Sequence, residues 1–376
     1  MRTSLVTVGL VLTSAALLRF WNLAHAPLSV RELAIVAPVV QLLRTGSYRP
    51  PALASPTLPI YLQALAASLH FMWGAVGGRW QSIAAFGPDQ IVGWGRALSA
   101  LCGTATVLVV YAIGLRWGSR HALLAAGLMA VMPADVAASR EIGSGALLTL
   151  FAAVTLSASI AAIGRGGRRP FAIAGAASGL AAACHYAGAL TMLMPLVAVW
   201  MSKSEESSRG NRALVSVGSG LAAFLVSTPL ALADIPAFLN GFAASAGPTV
   251  AGDPGIHLLP WLAWTLQWPG LLLALGGLGL GVVRAVTGPG HTRWTVLVGF
   301  PVVYAGLLAW HGASSDAALL PLTPPAVLLA AIAVISGVSQ LRRFEIPRPI
   351  RTALIAGFTV AAVLPPAVLS IVMIRQ

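Results

Sequence analysis

Charge is what this 376-residue sequence has least of. Only 9% of its residues are charged, and ten of them are acidic. A soluble domain carries roughly 25% charged residues, so no water-facing domain of useful size is available. Cysteine is scarce as well. Cys102 and Cys184 are the two, both inside apolar runs, which excludes a disulfide framework and a zinc signature. Walker loops, dinucleotide fingerprints, serine nucleophile elbows and haem motifs are all missing. What is there is apolar: 57% hydrophobic residues and a mean hydropathy of +0.85, in runs that place most of the chain in a bilayer. The formal net charge is +13. The basic residues stand between apolar runs instead of clustering on one soluble face, so they read as topology-setting arginines and exclude nucleic acid as a partner.

Runs of membrane-spanning length lie near 3–20, 96–115, 121–138, 146–164, 171–187, 188–202, 213–232, 262–283, 294–311, 317–338 and 352–373, about eleven spans in all. The first resembles a signal peptide in charge and length, but no small-x-small cleavage site follows it, so it reads as a retained helix. The short loops alternate. One set holds Arg116/Arg120, Arg165/Arg168/Arg169, Lys203/Arg209/Arg212, Arg284/Arg293 and Arg342/Arg343/Arg348/Arg351. The other carries Asp135, Glu141, Asp234, Asp253 and Asp316, with Arg140 its one basic residue. The positive-inside rule makes the first set cytoplasmic and puts the N-terminus inside and the C-terminus outside. Two outer segments are long. Residues 21–95 hold two helix-like stretches, RELAIVAPVVQLLRTG and SPTLPIYLQALAASLHFMWGAVGG. The first is too short to cross. The second would invert every later loop if it crossed, so both are expected at the interface. Residues 233–261 are polar and rich in Gly and Pro, and Trp261, Trp264 and Trp268 follow as an aromatic belt. The 39 glycines and stretches such as FAIAGAASGLAAACHYAGAL predict close helix contacts through small side chains.

This order of features resembles the C-type membrane glycosyltransferases, particularly bacterial proteins akin to protein O-mannosyltransferases and aminoarabinose transferases. LRFWNLAHAPLSVRELAIVAPVVQLLRTGSYRP is similar to the family's first-loop motif, and SPTLPIYLQALAASLHF to its second interfacial helix. GRALSALCGTATVLVVYAIGLRWGSRHALLAAGLMAVMP, GLAAACHYAGALTMLMPL and STPLALADIPAFLNGF are similar to later spans. The likeness runs over most of residues 15–245 and fades beyond. It implies an all-α polytopic membrane protein, with about eleven spans plus two interfacial helices in the first outer loop. It further implies a single membrane domain over 1–376, made of a glycosyltransferase-like core (1–245) and diverged C-terminal helices (246–376). A bacterial cytoplasmic membrane is the expected location.

The charged positions depart from the family pattern. An Asp-Glu pair, whose Asp is the family's base, stands here as Arg31-Glu32. The acid expected at the start of the fourth span is Gly145, after Ser139-Arg140-Glu141. A Lys-Tyr is His185-Tyr186, and an Arg-Tyr is Ala317-Ala318, ahead of Leu319-Leu320-Pro321; Asp234 is kept. Transfer of a sugar from a polyprenyl phosphate needs a carboxylate to take the acceptor's proton and cations to hold the leaving phosphate. The candidate acids are therefore Glu32, Glu141 and Asp234. The candidate phosphate-binding residues are Arg31, Arg140, His185 and Tyr186. No His/Asp/Glu spacing matches a metal motif, so no cofactor is assigned, although a divalent metal on His185 with Glu32 or Asp135 is compatible with the residue types. Two readings stay open. One is an enzyme transferring a sugar from a polyprenyl-phosphate donor at the outer face. The other is a catalytically degenerate member of the fold, contacting lipids and serving as a structural subunit among other membrane proteins.

Overall fold

The computed structural model describes residues 2–23, 26–47, 55–165, 167–202, 206–246, 258–288, 290–311, 315–341 and 348–375. The described residues form helices joined by turns, with no strand among them. Helix α1 (Arg2–Phe20) leads into the first long loop, which carries α2 (Val30–Thr45) and α3 (Leu58–Val76). Then follow α4 (Pro88–Gly114), α5 (Ser119–Ala130), α6 (Pro133–Arg140), α7 (Gly145–Arg165) and α8 (Arg168–Cys184). A 3₁₀ turn (Tyr186–Met192) runs into α9 (Leu193–Met201), and α10 (Glu206–Ser227), α11 (Leu230–Ala233) and α12 (Ile235–Ala246) come next. The C-terminal part holds α13 (Leu258–Thr287), α14 (His291–His311), α15 (Asp316–Leu319), α16 (Thr323–Leu341) and α17 (Arg348–Arg375).

Each apolar run read from the sequence is helical. Six helices are long and apolar enough to cross a membrane, and the bent pair α5–α6 makes a seventh. The first helix (Leu5–Phe20) and the segment Tyr186–Met201 are shorter apolar helices. Helix α3 is not among the spanning candidates, because Gln63 and His70 dilute its apolar run. It packs on α2 and α4 through Val36, Val39, Ile60, Ala64, Ala67, Phe86 and Ile91. Its outward stripe of Leu65, Leu69, Met72, Trp73 and Val76 is exposed, as suits a helix lying at a membrane surface.

Three of the differences from the sequence expectation shape the helices around the site. Helix α4 begins eight residues before the expected start, because Pro88 suits a first helical position and Gly87 N–H finds the Gln90 side chain at 2.8 Å. This moves Arg96 from the end of the helix into its third turn. The run 121–138 is not one straight helix: it bends by 55° between Ala130 and Pro133, since proline removes a donor and clashes with the preceding turn. Carbonyls freed by such a break need partners inside a membrane. Arg19 donates to Met129 O (3.1 Å) and Ala130 O (2.9 Å), and Ser370 of α17 donates to Val131 O at 2.9 Å. Third, residues 235–246 of the expected polar outer segment form helix α12, whereas 247–257 lie outside the described residues.

Close packing follows the small residues. Helices α8 and α10 meet along Gly175 and Gly179, against Ser216 and Gly220, where an added Cβ would collide with the facing backbone oxygens. Four-residue spacing of small residues on both helices is what lets two backbones approach this closely.

Candidate functional site

One end of the bundle, expected to be the outer one, gathers segments far apart in sequence. Helix α2 opens with a capping box written Ser-Val-Arg-Glu. Glu32 N–H donates to Ser29 Oγ (3.2 Å), and Ser29 N–H donates back to Glu32 Oε2 (3.0 Å). The reciprocal bonds turn the Glu32 carboxylate inward, where Arg96 meets it as a fork. Arg96 Nε donates to Oε1 and Nη2 to Oε2, both at 2.7 Å. Ile142 N–H adds a bond to Oε1 at 3.0 Å. An ionised carboxylate has about four acceptor positions, and all of them are taken here. Arg96 is equally saturated, since its remaining N–H groups donate to the carbonyls of Leu23, Ala26 and Pro27. Glu32 is 1% exposed and Arg96 4%. Burial pushes the Glu32 carboxyl up, but the Arg96 bonds and the Ser29 and Ile142 amides outweigh it and hold the group below its ordinary 4.5.

Glu141 sits one residue from Ile142, in the turn between α6 and α7, and differs in every respect. It is exposed and carries no hydrogen bond or ion pair among the described residues. Partial burial, then the charge of Glu32, raise its carboxyl above the ordinary 4.5; Asp316 adds to the rise, while Arg31 and Arg96 oppose it. A carboxylate with free lone pairs and a raised proton affinity is suited to taking a proton.

Arg31 and Asp316 complete this corner. They face each other at 3.6 Å, with side chains 78% and 63% exposed. A solvated pair of this kind is worth about 0–1 kcal/mol, so Arg31 is available to an anion. His185, in the break between α8 and the 3₁₀ turn, borders the same corner. Its Nδ1 accepts Ala187 N–H (3.2 Å) and its Nε2 lies 3.2 Å from Ser315 Oγ. A ring whose Nδ1 accepts must carry its proton on Nε2 when neutral. His185 is therefore a donor to Ser315, and this pair is not a serine–histidine dyad.

The other expected site residues are engaged elsewhere. Arg140 donates from Nη1 to Leu18 O (3.2 Å) and Trp21 O (2.7 Å), tying α6 to the outer end of α1. Asp234 caps α12 through Ala237 N–H at 3.0 Å, and Tyr186 packs edge-on against Phe242 of that helix at 5.2 Å between ring centres. Asp135 is fully buried in an ion pair with Arg19. No group of three His, Cys, Asp or Glu side chains able to share a metal ion occurs among the described residues. At Gly145 an added Cβ would lie 2.7 Å from Leu320 Cδ1, 3.1 Å from Ala138 Cβ and 4.0 Å from Ala317 Cβ. The positions expected to hold an acid and an arginine thus touch each other, and both are uncharged.

Sequence reasoning missed Arg96, Arg19 and the Ser29 cap. The signals were present. Ser-x-x-Glu before an apolar run is a capping box, and an arginine in or beside an apolar span needs a partner.

An all-helical bundle of apolar spans, with two packed helices in its first long loop and a charged corner at that end, is the fold of the C-type membrane glycosyltransferases. Residues 90–231 match the family model of the dolichyl-phosphate-mannose-protein mannosyltransferases. No curated protein sequence matches the chain. Among solved structures, ArnT from Cupriavidus metallidurans bound to undecaprenyl phosphate superposes with a TM-score of 0.66 at 14% identity, covering 99% of this chain and 72% of ArnT. The oligosaccharyltransferase of Archaeoglobus fulgidus in its apo form gives 0.66 at 13% identity over 98% of this chain. AglB from the same archaeon, in complex with an inhibitory peptide and a dolichol-phosphate, gives 0.65 at 14% over 99%. This chain spans 55% and 56% of the length of those two archaeal structures.

Proposed function

We propose that this protein transfers a sugar from a polyprenyl-phosphate donor to an acceptor hydroxyl at the extracytoplasmic face of a bacterial inner membrane, with Glu141 as the base. The observation that carries the assignment is the contrast between the two neighbouring acids: Glu32 has no acceptor position left, whereas Glu141 has no bonding partner among the described residues, is exposed and is of raised proton affinity. Glu141 takes the acceptor's proton as the acceptor oxygen bonds to the sugar's C1. The C1–O bond to phosphate breaks, and its electrons leave with the polyprenyl phosphate. Arg31 is the cation placed to stabilise that leaving group, because its partnership with Asp316 is weak. Arg140, His185 and Tyr186 line or brace the same end of the bundle, and Asp234 anchors α12 beside it. The lipid class follows from the structural neighbours, which hold undecaprenyl phosphate and dolichol-phosphate.

A specific observation favours the second reading, a non-catalytic subunit of a membrane complex. At Gly145 an added Cβ would meet Leu320 Cδ1 at 2.7 Å and Ala138 Cβ at 3.1 Å, so the acid that the family resemblance puts there would need these side chains to move. Purified protein in lipid, offered a mixture of polyprenyl-phosphate sugars and hydroxyl acceptors, separates the two. Transfer that Glu141→Gln abolishes supports the enzyme. Absence of transfer from the intact protein, with a stoichiometric membrane partner retained on purification, supports the subunit.

A further inference from the structure

We infer that Arg96 and Glu32 are positioning residues: together they form a clamp that fixes where the α6–α7 turn presents Glu141. The inference rests on the reading of Glu141 as the reactive carboxylate and adds how that group is held. Three connections carry it. Arg96 spends all five donors on the first outer loop, two on Glu32 and three on the carbonyls of Leu23, Ala26 and Pro27. Glu32 passes that anchorage on, because its Oε1 accepts the amide of Ile142, the residue next to Glu141. The Ile142 side chain is 1% exposed and seats against Gly95, where an added Cβ would lie 2.7 Å from Ile142 Cδ1 and 2.8 Å from Gln63 Oε1. Gln63 in turn donates to Gly95 O at 3.2 Å. Ile142 is thus held by backbone and side chain together, while the adjoining Glu141 side chain stays exposed. The turn cannot shift without breaking the Ile142 amide's bond to Glu32 and pulling the Ile142 side chain from its seat against Gly95.

The clamp is also electrostatic. Glu141 faces Glu32 and Arg31 from α2, Arg96 from α4 and Asp316 from α15. Neutralising Glu32 removes one negative neighbour and lets Glu141 ionise more easily. This coupling acts through space, so the exchange of the Ile142 amide is what separates a clamp from a neighbouring ion pair.

The test uses full-length protein in lipid and two readouts that need no turnover. One is hydrogen exchange of the Ile142 amide. The other is the infrared titration of the Glu141 carboxylate, identified by its loss in Glu141→Gln. Losing a charge-assisted bond predicts that Glu32→Gln speeds Ile142 exchange by about tenfold and shifts the Glu141 titration to lower pH. Arg96→Lys keeps the positive charge but not the fork; it should speed exchange in the same way, and it provides a second folded variant if Glu32→Gln is lost to aggregation. Unchanged exchange at Ile142 in both variants overturns the clamp, as does an unmoved Glu141 titration in Glu32→Gln. The sugar-transfer assay run beside them separates the two ideas. Faster exchange with a shifted titration, but full transfer by Glu141→Gln, keeps the clamp and removes Glu141 from the chemistry.

Discussion

Glu32 and Glu141 lie on adjoining segments of the same outer corner and meet opposite surroundings. The folded state holds Glu32 below its ordinary value of 4.5, so the stability it contributes is fully present above that value and is lost as pH falls through the folded-state value. Glu141 is raised, so its contribution has the other sign: present below 4.5, and lost as pH rises through its folded-state value. Thermal melting at a series of pH values tests both. Below pH 4.5 the wild type should lose stability more steeply than Glu32→Gln. At neutral pH Glu141→Gln should melt higher than wild type, because it removes a carboxylate that its surroundings disfavour. Removing the partner from a buried pair leaves an uncompensated charge, so Arg96→Leu should cost about 3–5 kcal/mol. If Arg96→Leu melts like wild type, the fork does not form.

Whole helices show the same dependence on a few side chains. The break between α5 and α6 persists because Arg19 covers the Met129 and Ala130 carbonyls while also pairing with Asp135. An ordinary buried ion pair is often replaceable by two apolar residues at little cost. Here Arg19→Leu with Asp135→Leu should stay destabilised, since Ala130 O loses its Arg19 donor and Met129 O keeps only long backbone contacts, whatever becomes of the charges. A double variant that melts as high as wild type would contradict that account. The α8–α10 contact makes a sharper prediction. Gly179 faces the Gly220 backbone with no space for a side chain, whereas nothing stands within 4 Å of the Cβ position of Gly218. Gly179→Leu should abolish the monodisperse protein in detergent size exclusion, and Gly218→Ala should leave it intact.

For the whole molecule, the placement of the arginines predicts which ends of the helices face the cytoplasm. Cys102 and Cys184 are both buried, so single cysteines can be introduced against a low background. An impermeant thiol reagent applied to intact cells should label Ser315→Cys on the outer corner. It should reach Arg120→Cys, in the first turn of α5, only after permeabilisation. The reverse pattern would invert the molecule and place the Glu141 corner in the cytoplasm.

Much of this organisation was legible from one-dimensional signals. Each apolar run became helical because a backbone in hydrocarbon must satisfy its own polar groups, and the two stretches of the first outer loop became helices. Hydropathy alone could not mark the bend before Pro133 or the early start of α4, because both depend on which groups arrive to satisfy a turn. At the candidate site the sequence showed that Arg31, Glu32 and Glu141 are among a handful of charges expected on the outer side, and that the positions around them lack the family's acids and cations. It could not rank the two glutamates. The residue that decides between them, Arg96, is 64 positions from Glu32, and the amide that completes the shell is 110 positions away. Membrane character and helix placement are sums over neighbours in the chain, and so they belong to the sequence by itself. Whether a carboxylate is spent on an anchor or left open to a proton depends on which donors the folded chain delivers to it, and only the tertiary structure decided that.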